Sequence, residues 1–81
     1  MITCLVTGGT GFIGSAITRL LLERGFNVRI LDDNSRGNFR RLTDVLDSVD
    51  VREGDVRNAE LVSKSLIGVA VVVHLAYING T

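Results

Sequence analysis

Proline is absent from the 81 residues, and cysteine, histidine and tyrosine occur once each. The lone Cys4 cannot close an internal disulfide. It sits in the first apolar run and reads as a small buried hydrophobe in a reducing compartment. One cysteine and one histidine cannot complete a metal site, so no metal is expected. An excess charge of one sign is lacking as well, because nine basic and nine acidic residues cancel. A nucleic-acid-binding domain would show a basic excess or stripe. The nearest approach, Arg36, Arg40 and Arg41, reads as a solvated face. No apolar run nears the ~20 residues of a membrane span. The N-terminus lacks the basic-then-apolar layout of a signal peptide. A cytoplasmic protein with no nucleic-acid or membrane partner is the expectation.

What the chain does have is an ordinary apolar fraction, 46%, and nine glycines placed at turns. That composition excludes disordered, collagen-like and low-complexity classes. A chain of this length makes at most one small domain, burying only about 60% of the surface it exposes when unfolded.

Residues 1–7 form a nearly continuous apolar run, with Ile2, Cys4, Leu5 and Val6. Such a run suits a strand buried on both faces of a parallel sheet. The next segment sets Ile13, Ile17, Leu20 and Leu21 at the spacing of one helical face, broadened by Ala16 and Leu22. Thr18, Arg19, Glu23 and Arg24 take the wet side of that helix. Gly25 then suits a left-handed stop. Residues 27–31 predict a second strand, which ends at Asp32 and Asp33, and residues 34–38 are a turn cluster. Phe39, Leu42, Val45 and Leu46 repeat at helical spacing and predict a short second helix. Val49, Val51 and Glu53 mark a third strand, stopped by Gly54. Asn58 is placed to cap a third helix carrying Leu61, Val62, Ser65 and Leu66, ended by Gly68. Residues 69–75, β-branched and apolar, predict a fourth strand.

This β-α-β-α-β-α-β alternation argues for an α/β fold: an open parallel sheet with right-handed crossovers and helices on both faces. The strand order it predicts is 3-2-1-4. The fourth strand then lies at an open edge, long, apolar and uncharged, which domains normally blunt. Residues 1–81 are therefore expected to be the front part of a longer domain.

The stretch around which these elements are arranged is Thr7-Gly8-Gly9-Thr10-Gly11-Phe12-Ile13-Gly14. It joins the first strand to the first helix. Gly9, Gly11 and Gly14 make G-x-G-x-x-G; Gly8, Gly11 and Gly14 make G-x-x-G-x-x-G. In either pattern an early glycine permits the tight turn and the middle one lets backbone approach phosphate. The last removes a side chain where helix meets strand. Unpaired N–H groups and the positive end of the helix dipole then face an anion. Asp32 lies 18 residues after Gly14, near the separation expected for a carboxylate on ribose hydroxyls. A carboxylate there favours two hydroxyls over a 2′-phosphate, so NAD is expected rather than NADP, with Arg36 close enough in sequence to complicate the preference. The plainer alternatives are a glycine-rich turn without a ligand and a solvated Asp32-Asp33 turn. A triphosphate-binding loop is excluded, because Ser15 and Ala16 stand where a lysine and a Ser or Thr are required.

Thr7-Gly8-Gly9-Thr10-Gly11-Phe12-Ile13-Gly14-Ser15 resembles the signature of the extended short-chain dehydrogenase/reductase family, which includes the NAD-dependent nucleotide-sugar epimerases and dehydratases. Three further stretches agree: Leu31-Asp32-Asp33-Asn34-Ser35, Gly54-Asp55-Val56-Arg57 and Val73-His74-Leu75-Ala76. The resemblance runs the length of the chain and implies a partial Rossmann-type fold without the substrate domain. It implies that Gly8, Gly11, Phe12, Ile13 and Gly14 line the pyrophosphate. Asp32 would hold the adenosine ribose, with Asp33, Asn34 and Ser35 nearby. Asp55 and Val56 would flank the adenine, and Leu75 and Ala76 would pass under the central riboses. Read without the family, Asp55 is a loop or capping acid.

The chain departs from the family at Tyr77, where alanine is usual, and at Ala70, where an acid is common. The family's chemistry also needs a Ser or Thr and a Tyr-x-x-x-Lys. Tyr77 is followed four residues later by Thr81, so it reads as a pocket-wall or loop residue rather than the catalytic tyrosine, and His74 as a structural residue at a strand end. No catalytic residue is therefore expected among the 81, and no turnover from them alone. The implied partners are the dinucleotide and, in the parent protein, a nucleotide sugar, with a homodimer as the implied assembly. A non-catalytic dinucleotide-binding or redox-sensing module, or an inactive truncated product, is the alternative.

Overall fold

The computed structural model describes residues 2–33 and 39–76. Strand β1 (Thr3–Thr7) leads through the glycine turn into helix α1 (Phe12–Glu23), and β2 (Asn27–Asp32) follows. Two short 3-10 turns, Phe39–Leu42 and Leu46–Ser48, precede β3 (Val49–Glu53). Helix α2 (Ala59–Ser65) and strand β4 (Val71–His74) complete the described order.

All pairings are parallel, and the strand order is β3-β2-β1-β4, as the alternation predicts. This is the Rossmann-type arrangement with its switch point between β1 and β4. Val6 of β1 stands beside Ile30 of β2 and Val73 of β4. With Val28 and Leu42 these residues form the core on the α1 side, closed by Leu21, Leu22 and Val45. Arg29, of opposite parity to Val28 and Ile30, serves the other face. Its guanidinium donates to the carbonyls of Ser65 (2.6 Å) and Ile67 (2.7 Å), tying the end of α2 to that side of the sheet. The layers therefore follow from strand parity: α1 and the 3-10 turns on one side, α2 on the other.

Helix α1 is rotated from the phase its apolar spacing predicts. Gly14, Ser15 and Thr18 are its buried residues. Ile13 and Leu20, expected in the core, are 64% and 47% exposed, and Ala16 is exposed too. The cause is the close approach of the helix to the glycine turn. A Cβ on Gly14 would lie 2.1 Å from the Gly8 carbonyl oxygen. The face carrying Gly14 must point inward, and Thr18, Leu21 and Leu22 share it.

The expected second helix is the other correction. Of its expected apolar residues, Leu42 ends the first of two 3-10 turns, Val45 lies in the turn between them and Leu46 opens the second; Leu42 is fully buried, Val45 partly buried and Leu46 exposed. The 3-10 form sets equivalent side chains three apart, so Leu42 and Val45 can serve one contact without a full helix. The third helix forms as predicted. The Asn58 side chain accepts from the Leu61 N–H (3.1 Å), satisfying one of the orphan donors of the first turn. Strand β4 is shorter than expected and sits at the sheet edge among the described residues, with Val71 and Val72 about half exposed. No helix of the described residues is long and apolar enough to cross a membrane.

Candidate functional site

The carboxyl ends of β1, β2 and β3 and the segment after β4 converge on one edge of the sheet, where the glycine turn lies. Local bonding locks them together. The Gly8 N–H donates to the Leu31 carbonyl (3.0 Å), and the Gly54 N–H donates to the Asp32 carbonyl (2.9 Å). The Leu75 N–H donates to the Thr7 carbonyl (3.1 Å). Thr7 Oγ1 also accepts from the N–H groups of Leu75 (3.0 Å) and Ala76 (3.2 Å). With two donors on that oxygen, its own hydrogen points to His74 Nδ1, 2.6 Å away. His74 thus holds a strand end, the structural place read from the sequence.

Gly8 takes φ +75°, and a Cβ there would lie 2.9 Å from the Ala76 nitrogen. The turn therefore rests directly on the backbone of Leu75 and Ala76. From Gly8 the chain closes through the Gly11 N–H to the Gly8 carbonyl (3.1 Å). Helix α1 then starts, with Gly11 as its N-cap and no side chain capping it. The first intrahelical bond runs from the Ser15 N–H to the Gly11 carbonyl (2.9 Å). The amides of Phe12, Ile13 and Gly14 are left without an intrahelical acceptor. With no acidic residue in the first turn, the positive end of the helix dipole is not offset there. Backbone amides and dipole together make a cradle for an anion, in a turn whose tight closure the glycines permit, since a Cβ on Gly8, Gly9 or Gly14 would meet neighbouring protein atoms within 3 Å.

Asp32 ends β2 beside this cradle and is only 6% exposed. Its Oδ2 accepts from the Thr10 N–H (2.9 Å) and the Thr10 hydroxyl (2.7 Å). Thr10 is fully buried, and its carbonyl accepts from the Arg41 guanidinium (3.2 Å). Sequence reasoning passed over Thr10 because it occupies a variable position of the motif. The readable signal was a hydroxyl in the turn facing the acid at the next strand's end.

Asp33 is exposed at the same edge. Asn34 and Ser35 lie outside the described residues, as do Arg36 and Tyr77. Asp55 and Val56 follow β3 on the loop before α2. The Asp55 carboxylate accepts from the Arg57 N–H (2.8 Å), forming a local turn, and from the Arg57 guanidinium through both oxygens. The Arg57 guanidinium, and then its backbone N–H, hold the Asp55 carboxyl well below the usual carboxylate range, at about 2. The described residues contain no group of three or more histidine, cysteine or acidic side chains that could hold a metal.

Open parallel sheet, glycine turn, uncapped helix start and buried acid at the second strand's end together define a Rossmann-type nucleotide-binding unit. A model of the NAD dependent epimerase/dehydratase family matches residues 4–81, and the chain belongs to that family. It is 41% identical over 76 residues to a UDP-glucose 4-epimerase of Corynebacterium glutamicum, covering 89% of this chain and 21% of that protein. It is 37% identical over 76 residues to a 3-beta-hydroxysteroid dehydrogenase of Mycolicibacterium neoaurum, covering 91% and 19%. The fold superposes on dTDP-glucose 4,6-dehydratase of Bacillus anthracis, solved in complex with NAD, with a TM-score of 0.90 and 27% identity over 96% of this chain and 27% of that one. The chain thus spans between a fifth and about a quarter of the length of these relatives.

Proposed function

We propose that the chain is the cofactor-binding part of an NAD-dependent epimerase/dehydratase-like oxidoreductase whose substrate is a nucleotide sugar. The observation that carries this reading is the convergence of the glycine cradle, the start of α1 and buried Asp32 at the carboxyl edge of the sheet. The residues fit a dinucleotide: the amides at the uncapped start of α1 are donors that suit a pyrophosphate.

In this reading the amides around Gly8, Gly11, Phe12, Ile13 and Gly14 hold the pyrophosphate. Asp32 accepts from the adenosine ribose hydroxyls, with Asp33, Asn34 and Ser35 beside it. Asp55 and Val56 flank the adenine. An amino group reaching Asp55 would share it with Arg57, which already engages both oxygens. Leu75 and Ala76, on which the turn rests, lie beneath the central riboses. NAD is favoured over NADP because a buried carboxylate at the ribose repels a 2′-phosphate.

The bound cofactor supplies hydride acceptance and return; the chain's own residues bind and orient it. The Ser or Thr and Tyr-x-x-x-Lys that the family's chemistry uses are not among these residues. No turnover is expected of them alone. The nucleotide sugar as substrate class rests on relatives such as the epimerase and the dehydratase named above. Calorimetric titration of NAD⁺ and NADP⁺ into the wild-type protein and Asp32→Ala tests the binding reading. Binding of NAD⁺ in preference to NADP⁺, weakened about tenfold or more by the substitution, is expected on the scale of a lost hydrogen bond to a charged group. A wild-type protein that takes up no NAD⁺ would overturn it.

A further inference from the structure

We propose that the Thr10 hydroxyl positions Asp32 and thereby sets the discrimination between a ribose bearing two hydroxyls and one bearing a 2′-phosphate; this rests on the reading of Asp32 as the ribose ligand. The two Thr10 donors converge on a single oxygen of the carboxylate, at 2.9 and 2.7 Å. Charge-assisted bonds of this kind are the stronger ones in a protein, and here both are buried. Two donors on Oδ2 fix the plane of the carboxylate and so fix where its charge and its second oxygen stand. The donors themselves do not drift. Thr10 is 0% exposed, and its carbonyl is held from the far side by Arg41 (3.2 Å). The chain Arg41–Thr10–Asp32 links the 3-10 segment, the glycine turn and the end of β2 at one point.

The consequence concerns selectivity rather than affinity alone. A pinned carboxylate meets a ribose 2′-hydroxyl as an acceptor already in place, which lowers the ordering cost of binding. The same pinned charge stands against a 2′-phosphate and cannot swing away from it. Removing the hydroxyl takes away the shorter of the two Thr10 donors on Oδ2 and loosens the hold of the turn on the carboxylate. Affinity for NAD⁺ then falls and rejection of NADP⁺ relaxes, so both changes lower the NAD⁺/NADP⁺ affinity ratio.

The test compares wild type, Thr10→Val and Thr10→Ser by titration with NAD⁺ and with NADP⁺. Valine keeps the shape and the amide and deletes the hydroxyl; serine keeps the hydroxyl. The expected result is a ratio lowered about tenfold by valine, the scale of one hydrogen bond to a charged group, and restored to within about twofold of wild type by serine. Should Thr10→Val fail to fold, as judged by circular dichroism, Thr10→Ala takes its place. A merely structural role would weaken both cofactors equally. A wild type that prefers NAD⁺, with a ratio unmoved by loss of the hydroxyl, overturns the positioning role alone. A wild type that binds neither cofactor overturns the dinucleotide reading and this inference with it.

Discussion

Gly14→Ala should damage this fold more than any neighbouring glycine substitution in the turn. Intrinsic propensity points the other way, since alanine is favoured over glycine inside a helix by about 1 kcal/mol. Packing decides the sign. The added Cβ would lie 2.1 Å from the Gly8 carbonyl oxygen and 2.9 Å from the Gly8 carbonyl carbon and the Gly9 Cα. All three are backbone atoms in a turn already closed on itself, so no side-chain tip can yield. Helix and turn must part by more than about 1 Å to reach ordinary contact, an overpacking cost of about 1–3 kcal/mol. The oxygen displaced is also the acceptor for the Gly11 N–H, worth a further 1 kcal/mol or so. With the alanine propensity set against the lost hydrogen bond, the net loss is about 1–3 kcal/mol, or a fall in Tm of about 5–20 °C for a chain this size. Gly11→Ala is the comparison. Its Cβ meets only the Gly8 oxygen, at 3.3 Å, and its φ of −71° suits any residue. That variant should lose about 1 kcal/mol or less and yet, on the proposed function, bind NAD⁺ poorly, because its methyl group would stand where that proposal puts the phosphate. Urea unfolding followed by circular dichroism measures both variants. A Gly14→Ala protein as stable as wild type, or a Gly11→Ala protein less stable than it, would refute the argument.

Thr18→Val should stabilise the protein by about 1 kcal/mol, because Thr18 Oγ1 is buried with no hydrogen-bond partner among the described residues and valine fills the same volume without that desolvation cost; a drop in the urea midpoint would count against it. The Asp55 carboxyl should titrate near pH 2 by NMR, and near its ordinary value in Arg57→Gln, because the guanidinium and then the backbone N–H of Arg57 are what depress it. The sign follows from a folded-state pKa below the unfolded one: the turn's contribution to stability is complete above about pH 4 and is lost as pH falls toward 2. An Asp55 midpoint that Arg57→Gln leaves in place would dismiss the pairing.

Much of the architecture was legible because each element carried its own local signal. Alternating apolar runs gave the strands, and the parallel order followed from the crossovers they require. Asn58 marked the start of α2, and Gly25 and Gly68, both at positive φ, marked where helices stop. The site's frame was legible for a related reason: glycines at fixed spacing and an acid at a strand end are demands of backbone geometry, which sequence expresses directly. The 3-10 segment was not legible, since residues spaced by three and four satisfy either helix type and only the packing of Leu42 selects between them.

Helix α1 shows where periodicity alone misleads and what would have corrected it. The helix carries two apolar stripes. The one read as the core runs through Ile13, Ile17, Leu20 and Leu21; the structure turns Ile13 and Leu20 outward and leaves Ile17 and Leu21 partly buried, while the buried positions, Gly14 and Thr18, look weaker on any hydropathy scale. The smaller residues win because burial here is governed by distance rather than by apolar area. A helix that must start within van der Waals range of the Gly8 carbonyl can present only a glycine there. Once Gly14 is placed inward, the position four residues on is buried too and the one seven on is partly buried, whatever their polarity. That is why Thr18 is interior with an unsatisfied hydroxyl, a cost the fold accepts to bring the amides of α1 up to the turn. The glycine motif thus carries two kinds of information, a binding site and the rotational phase of the helix that follows, and the second was available in the sequence from Gly14 alone.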